Sequence, residues 1–235
     1  MRSRCCKVSD VRISPVPGIR EVVAGDDVGA LIADAFEVEP NDVVVIAQKV
    51  VSKAEGRVVK AVDREDARDA ARREARRVLR DTPSYLIVET HFGLVCANAG
   101  VDMSNIDDGY AVLLPKDPDA SSDRLRRTIE ERVGRPVGVI ISDSFGRTWR
   151  IGQTNVAIGA SGMAAVRDYR GQIDPAGREL VVTQIAHLDE LAGAAELVMG
   201  KLDRVPVAIV RGYPWEPADE GARALIRPTA DDLFR

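Results

Sequence analysis

The chain has 235 residues, of which 45% are hydrophobic and 30% charged, and its net charge at pH 7 is −4; this is enough to bury the core of a single domain spanning residues 1–235. The slightly acidic balance, with basic residues interleaved among acidic ones, argues against nucleic acid as a partner. The absence of a signal-peptide pattern and of a membrane-length apolar run, with only three cysteines, predicts a cytoplasmic protein without a membrane partner, whose residues 1–12 are disordered.

The N-terminal half predicts two helices, a buried strand and a hairpin. An aspartate in the turn at residues 25–27 is placed to cap a helix over Val28–Phe36. The valine and isoleucine run in Asp42–Ala47 is typical of a strand buried on both faces. Apolar residues at helical spacing predict a helix over Asp66–Arg80, and Leu86–Ala97 reads as two strands meeting at a turn.

The C-terminal half predicts two further helices among short strands. Ser122 is placed to cap a helix that carries apolar residues along one face and stops at Gly134. A second amphipathic helix is predicted over Gln184–Met199. Short apolar runs predict further strands at Val137–Ile141, Leu180–Thr183 and Val205–Val210, besides the run Tyr85–Val88 in the N-terminal half.

The order of these elements indicates the fold class. Strands and helices do not alternate strictly, because the predicted hairpin at Leu86–Ala97 interrupts the βαβ order. This pattern favours an α+β fold with mixed β-sheets and flanking helices over a doubly wound sheet.

One polar cluster directly follows the predicted strand Asp42–Ala47. A lysine supplies a point charge and a serine a hydroxyl, so a cluster of this kind at a strand end is suited to phosphate. The alternative is an ordinary solvated strand end. The cluster consists of Gln48, Lys49, Ser52, Lys53, Glu55 and Arg57.

A second polar cluster lies in Asn98–Asn105. Asp102 and Asn105 are three residues apart and can face one ligand, and the small residues between them permit a tight turn. The alternative is an Asx-turn loop, in which these side chains bond to their own backbone.

A third cluster follows the predicted strand Val137–Ile141. Asp143 and Ser144 at the end of a buried strand suit a hard cation that takes oxygen ligands. Arg147 and Arg150 come next and, from their charge, are candidate catalytic clamps for carboxylate or phosphate oxygens. The alternative is a turn with exposed arginines.

Together the clusters supply acids for a metal, bases for phosphate, and amides and hydroxyls for orientation. Phosphoryl transfer needs this equipment because its catalysis is mainly positioning and charge neutralisation. The sequence contains no Gly-x-x-x-x-Gly-Lys-Ser/Thr and no Gly-x-Gly-x-x-Gly motif after a strand. The residues therefore indicate a metal–nucleotide site without a P-loop, and they do not name a substrate.

At these residues the chain resembles the coenzyme F420-0:L-glutamate ligase family, in its bacterial form. The likeness runs nearly end to end, and the bacterial form often continues into a flavin-binding nitroreductase-like domain, so a separate partner of that kind is expected here. The matching blocks, in order, are Ser14–Ile19, Val50–Arg57, Cys96–Asn105, Leu113–Asp119, Ile140–Arg147 and Val207–Gly212.

The resemblance implies both an activity and an assembly. It implies that the substrates are coenzyme F420-0, L-glutamate and GTP, with Mg²⁺ or Mn²⁺ as the metal and K⁺ as a possible further ion. It implies that the lactyl carboxylate of the precursor is phosphorylated and that the amine of glutamate then displaces phosphate. It also implies an α+β fold that forms an intertwined homodimer.

The resemblance also assigns roles to residues. Asp102, Asp143 and Ser144 match metal-ligating positions. The positions that match nucleotide contacts are Lys53, Asn105, Gln48 and the stretch Ile19, Arg20, Glu21 and Val22.

Three departures from the family pattern affect these assignments. Gln48 stands where relatives carry serine or threonine, and Arg20 stands where relatives often have proline. The stretch Met199–Asp203 replaces a glycine- and glutamate-rich stretch of archaeal relatives, which puts a second metal in doubt. Lys201 is a candidate to supply charge in place of that metal.

Three rival functions remain open. The first is a nucleotide-dependent carboxylate–amine ligase with a different acceptor. The second is a non-catalytic module that binds deazaflavin or nucleotide, against which the metal-matching pair Asp102 and Asp143 argues. The third is a metal-dependent phosphohydrolase, which would release phosphate without glutamate.

Overall fold

The computed structural model describes residues 10–232. Its helices are α1 (Val28–Ala35), α2 (Gln48–Ala54), α3 (Arg64–Glu74), α4 (Pro118–Val133) and α5 (His187–Met199). Its strands are β1 (Arg12–Pro15), β2 (Val43–Ala47), β3 (Val58–Lys60), β4 (Ala75–Asp81), β5 (Leu86–Thr90), β6 (Val95–Ala97), β7 (Tyr110–Val112), β8 (Gly138–Arg147), β9 (Arg150–Ser161), β10 (Arg167–Asp168), β11 (Gln184–Ile185) and β12 (Val207–Arg211).

A five-stranded mixed sheet forms the centre of the fold, in the order β1-β12-β2-β8-β9. Strands β2 and β8 run parallel, and the other neighbours are antiparallel. Strand β2 is buried on both faces because apolar residues cover each side of the sheet. On one side Val44 and Ile46 pack with α1 and α4, and on the other Val43 and Val45 pack with α5.

Three smaller sheets complete the fold. Strands β4, β5 and β6 form an antiparallel sheet, against which α3 packs through Ala71. Strands β3 and β7 pair with each other, as do β10 and β11. The mixed central sheet and the three small antiparallel sheets, with their flanking helices, confirm the predicted α+β class.

Several predicted elements are confirmed. Helix α1 begins where predicted, and Asp27 caps it by accepting a hydrogen bond from the Ala30 N–H at 2.9 Å. Strands β2 and β12 match the apolar runs predicted there. The hairpin predicted over Leu86–Ala97 is formed by β5 and β6.

The helix predicted over Asp66–Arg80 is wrong in its second half. Helix α3 ends at Glu74, and the chain continues directly as β4, which pairs antiparallel with β5. Pairing with β5 satisfies the backbone of this segment, and this tertiary contact outweighs its local helix propensity.

The predicted N-cap of the helix that ends at Gly134 is also wrong. Asp117 rather than Ser122 caps α4, by accepting from the Ala120 N–H at 3.1 Å, with Pro118 in the first turn. Ser122 lies inside the helix and donates to the Pro118 carbonyl at 2.9 Å. The end at Gly134 is confirmed by its left-handed conformation.

Several strand boundaries also differ from those predicted. Residues 180–183 form no strand, and the short β11 begins only at Gln184, so α5 starts later than predicted, at His187. Strand β8 extends to Arg147 instead of ending at Ile141, because β9 pairs with it along its whole length. Arg12 begins β1, whereas residues 1–9 of the segment predicted to be disordered lie outside the described residues.

Within residues 10–232, none of the helices has the length and apolar character needed to cross a membrane.

Candidate functional site

The candidate site lies at the edge where β2 ends and the parallel pairing of β2 with β8 stops, while β8 itself continues to Arg147. In open sheets with parallel strands, this edge is where ligands bind. Ala47, the last residue of β2, is in register with Ser142 of β8, so Gln48 and Asp143 follow side by side. Strand β6 contacts β8 and leads into the loop Asn98–Asn105, which brings Asp102 to the same edge.

Asp102 is held by a lysine and by its own loop. The Lys49 Nζ lies 2.8 Å from Asp102 Oδ2, and the Ser104 N–H donates to Asp102 Oδ1 at 2.7 Å. Burial alone would raise the pKa of Asp102, but the Lys49 and Ser104 hydrogen bonds outweigh it and leave the pKa below its ordinary value. Asp102 is therefore a carboxylate at neutral pH, ready to ligate a cation.

The environment of Asp143 disfavours its charged form, unlike that of Asp102. Burial is the largest cause that raises its pKa, to about 6, and the negative charge of Asp102 adds to the effect. The charges of Lys201 and Lys49 act in the opposite direction. Burial, followed by the charge of Asp143, likewise raises the pKa of the Cys96 thiol to about 12. A cation between the two aspartates would relieve their repulsion.

Ser144 connects two strands and a loop. Its hydroxyl donates to Asn155 Oδ1 at 2.7 Å and accepts from Lys201 Nζ at 2.5 Å. Asn155 faces Ser144 because the two are register partners in the β8–β9 pair. Lys201, in the turn after α5, thus places its ammonium directly on the predicted metal-ligating hydroxyl.

Lys53 contacts both the Ile19–Val22 stretch and Asn105, which were predicted to bind the nucleotide. Its Nζ donates to Glu21 Oε1 at 2.5 Å and to the Asn105 carbonyl at 3.2 Å. Asn105 has a left-handed φ of 55°, which an asparagine tolerates better than most residues. Lys49 and Lys53 are one helical turn apart on α2, so both ammonium groups face the loop that carries Asp102 and Asn105.

The other residues of the Ile19–Val22 stretch have structural partners. Arg20 forms an ion pair with Asp26 at 2.6 Å. Ile19 and Val22 pack in the apolar core beside the sheet. Of this stretch, the side chain of Glu21 is the one that contacts Lys53.

Two buried polar groups at this edge lack a hydrogen bond among the described residues. Gln48 is 1% exposed, and its Oε1 accepts from the Ser52 hydroxyl at 2.9 Å, but its Nε2 is unpaired. The hydroxyl of Ser142, also buried, is unpaired as well. Buried polar groups are seldom left unpaired unless a ligand or water completes them.

Arg147 and Arg150 lie away from this cluster, at the tip of the β8–β9 hairpin. Both are exposed. Arg147 donates from Nη2 to the Ile151 carbonyl at 2.6 Å and from Nε to the Gly152 carbonyl at 3.3 Å, so it closes its own hairpin. The structure does not bring either arginine to the aspartates.

Sequence reasoning placed Lys49 in the phosphate-suited cluster after β2 without assigning it a contact, and it missed Asn155 as a site residue. Lys49 was recognisable, because it lies four residues before Lys53 on one helix and therefore on the same face. Asn155 carried no local signal, since its position opposite Ser144 depends on the register of the β8–β9 pair, and β9 was not predicted.

The oxygen donors suit a hard divalent cation. Mg²⁺ is usually held by one or two carboxylates together with water and substrate phosphates, and Asp102, Asp143 and Ser144 offer that set. Within residues 10–232 no three histidine, cysteine, aspartate or glutamate side chains gather into a complete metal site. The donor set therefore fits a cation completed by the phosphates of a nucleotide, and a cage made of protein alone is not formed.

Comparison with known proteins assigns the chain to a family. Residues 18–212 match the family model described as F420-0:Gamma-glutamyl ligase. A protein of Methanopyrus kandleri named Coenzyme F420:L-glutamate ligase is 46% identical over 246 residues, covering 96% of this chain and 98% of that protein. Proteins of the same name from Methanothermobacter thermautotrophicus and Archaeoglobus fulgidus are 41% and 40% identical, covering 94% and 96% of this chain and 97% and 96% of theirs. Matches of this extent show that the chain belongs to the F420-0:gamma-glutamyl ligase family.

Proposed function

We propose that the protein ligates L-glutamate to the lactyl carboxylate of coenzyme F420-0, using GTP and Mg²⁺ or Mn²⁺. The observation that carries this proposal is the meeting of Asp102, Asp143 and two lysines of α2 at one sheet edge, in a chain of this family. The relatives named as L-glutamate ligases are matched over nearly their whole length, which supports the same reaction here.

In the proposed first step, an oxygen of the lactyl carboxylate attacks the γ-phosphorus of GTP, and GDP leaves with the electrons of the broken bond. Lys49 and Lys53 supply positive charge for the phosphate oxygens, where negative charge is redistributed. Asp102, Asp143 and the Ser144 hydroxyl would hold the divalent cation, which neutralises phosphate charge when bound.

In the proposed second step, the amine of glutamate attacks the carbonyl carbon of the acyl phosphate. An amide bond forms, the carbon–oxygen bond to phosphate breaks, and phosphate leaves with that electron pair. The amine loses a proton in the process. Division into two steps replaces one difficult amide formation by two easier displacements.

The test is mass spectrometry of a reaction that contains the protein, coenzyme F420-0, glutamate, GTP and Mn²⁺. We expect a product heavier by one or more glutamyl units, which disappears with Asp143→Asn. Asp108→Asn is the matched control, because Asp108 is exposed and makes no hydrogen bond among the described residues. GTP hydrolysis without a glutamyl product would indicate a hydrolase or a different acceptor, and precursor binding without either reaction would indicate a binding module.

We also propose that the protein acts as a homodimer, as expected from the family resemblance. The tip of the β8–β9 hairpin supports this, because it exposes two large apolar side chains to solvent. Trp149 is 78% exposed and Ile151 is 99% exposed. A second copy of the chain is the occupant that the family resemblance predicts for such a surface.

A further inference from the structure

A cleft separate from the Asp102–Asp143 cluster opens beside the β5–β6 turn. Its volume is about 330 Å³, enough for a small organic molecule with water. Its walls come from α3, the β5–β6 turn, and the segments before and after β7. The polar lining residues are Arg57, Glu74, Thr90, His91 and Lys116, and the apolar ones are Phe92, Ala99, Leu114 and Pro115.

Two of the charged groups of this cleft are paired with each other. Arg57 and Glu74 form an ion pair at 2.5 Å, and the Arg57 Nε donates to the Leu114 carbonyl at 3.0 Å. Both side chains are largely covered, with exposed fractions of 14% and 30%. This pair is therefore fixed by the fold and presents one cation and one carboxylate to the cleft.

Lys116 adds a positive charge that has no partner among residues 10–232, and its side chain is exposed at the rim. His91 likewise has no hydrogen bond there. Thr90 is 2% exposed, and its hydroxyl accepts from the Leu94 N–H at 3.1 Å, leaving its own hydrogen without an acceptor in the described part of the chain. The cleft thus has several unused donors for anionic oxygens beside one fixed carboxylate.

Free glutamate has a complementary set of groups. Its two carboxylates match Lys116 together with Arg57 and the Thr90 hydroxyl, and its ammonium matches Glu74. Two methylene groups between them match the apolar lining formed by Phe92 and Leu114. A nucleotide fits less well, because it has no cation to pair with Glu74.

The cleft is connected to the carboxylate cluster through one loop. Ala99 lines the cleft, and Asp102, three residues later, belongs to the cluster. Gly100 lies so close to Leu114 that an added Cβ would be 2.5 Å from Leu114 Cγ, so the loop is held against the wall of the cleft. A substrate bound in the cleft therefore lies next to the loop that carries a predicted metal ligand.

We infer that this cleft binds the amino-acid substrate, L-glutamate, with Lys116 as a carboxylate-binding residue and Glu74 as the residue that selects the amine. This inference rests on the proposed function for the identity of the ligand. It goes further by naming residues that determine which amine-bearing substrate is used.

The first test measures steady-state kinetics of Lys116→Gln. We expect KM for glutamate to rise about tenfold or more, because a charge-assisted contact is lost, with kcat and KM for GTP unchanged. Lys60→Gln is the matched control, because the side chain of Lys60 is also exposed and has no hydrogen bond or ion pair among the described residues. An unchanged KM for glutamate in Lys116→Gln would overturn the inference.

The second test measures binding directly by calorimetry, so it does not depend on the ligase reaction. We expect wild-type protein to bind L-glutamate more tightly than glutarate, which lacks the amine, and Glu74→Gln to lose that preference. A preference retained in Glu74→Gln that is still folded, as judged by its melting temperature, would overturn the assignment. If glutamate binds with the expected preference but no glutamyl product forms, the assignment of the cleft stands and the proposed reaction is wrong.

Discussion

Lys201 brings a positive charge to the hydroxyl of Ser144 and into the field of Asp143. The Lys201 ammonium donates to the Ser144 oxygen and so occupies a lone pair that a second cation would need. Lys201 is therefore suited to replace the charge of a second metal, as its place in a divergent stretch of the sequence suggested.

We predict that the protein binds one Mn²⁺ per GTP site, as counted by electron paramagnetic resonance. Lys201→Gln should lower kcat by about tenfold or more, because a preorganised charge beside the transferred phosphate is removed. Two Mn²⁺ ions per wild-type site would show that Lys201 does not take the place of a metal.

At the residue scale, sequence reasoning selected Asp102 and Asp143, and the structure brings both to one sheet edge. These residues could be selected because acids and lysines followed strands that were themselves recognisable. It placed Asp143 at the end of a strand, whereas Asp143 lies inside β8. The length of β8 depends on pairing with β9, which no local pattern reveals.

Among the elements, β9 packs unusually closely on the start of α4. A Cβ added at Gly159 would collide with the Pro118 carbonyl oxygen, which is backbone and cannot move aside. We predict that Gly159→Ala lowers the free energy of unfolding by about 1–3 kcal/mol, as other overpacked cores do. Urea denaturation measures this difference.

The control for that substitution is Gly193→Ala in α5. A Cβ there meets its nearest atom at 3.5 Å, an ordinary contact, and alanine favours a helix. This variant should be as stable as the wild type or more so. Equal destabilisation of both variants would contradict the packing argument.

His187 holds the start of α5 in place through two hydrogen bonds. Its Nε2 lies 2.6 Å from the Ala164 carbonyl and so carries the proton, and its Nδ1 accepts from the Tyr213 hydroxyl at 3.1 Å. Burial is the largest cause that lowers the pKa of His187. Because the folded pKa lies below the unfolded value of about 6.5, this contribution to stability is present above that pH and is lost as the pH falls through the folded value.

We predict that the melting temperature of the wild type falls between pH 7.5 and pH 5.5, and that His187→Gln shows a smaller fall over the same window. The variant still offers a donor and an acceptor but does not titrate. Differential scanning calorimetry at matched ionic strength gives both slopes. Equal slopes would show that His187 is not the group responsible.

Elements with strong local signals were predicted well. Helix α1 has a capping aspartate, and β2 is wholly apolar. The boundary between α3 and β4 was not predictable, because arginine-rich residues 72–77 suit a helix until β5 provides a pairing edge. Local propensity is a weak guide wherever a neighbouring strand competes for the backbone.

For the whole molecule, the α+β class and the central mixed sheet followed from the order of elements in the sequence. The predicted homodimer gives a test at this scale. Ile151→Asp at the hairpin tip should convert a dimer to a monomer in sedimentation velocity, because a charge replaces a 99% exposed apolar side chain. Val182→Asp, at another exposed apolar position, is the control and should leave the sedimentation coefficient unchanged.

The ion pair between Lys49 and Asp102 also predicts how the two ligands of the site influence each other. A divalent cation that takes Asp102 displaces the Lys49 ammonium, and the polyphosphate of a nucleotide gives that ammonium a new partner. Metal and nucleotide should therefore bind with positive heterotropic coupling, each raising the affinity of the other by the same factor. With Lys49→Gln, Mn²⁺ alone should bind more tightly and the coupling should shrink, so that addition of the two ligands changes from interdependent to nearly independent.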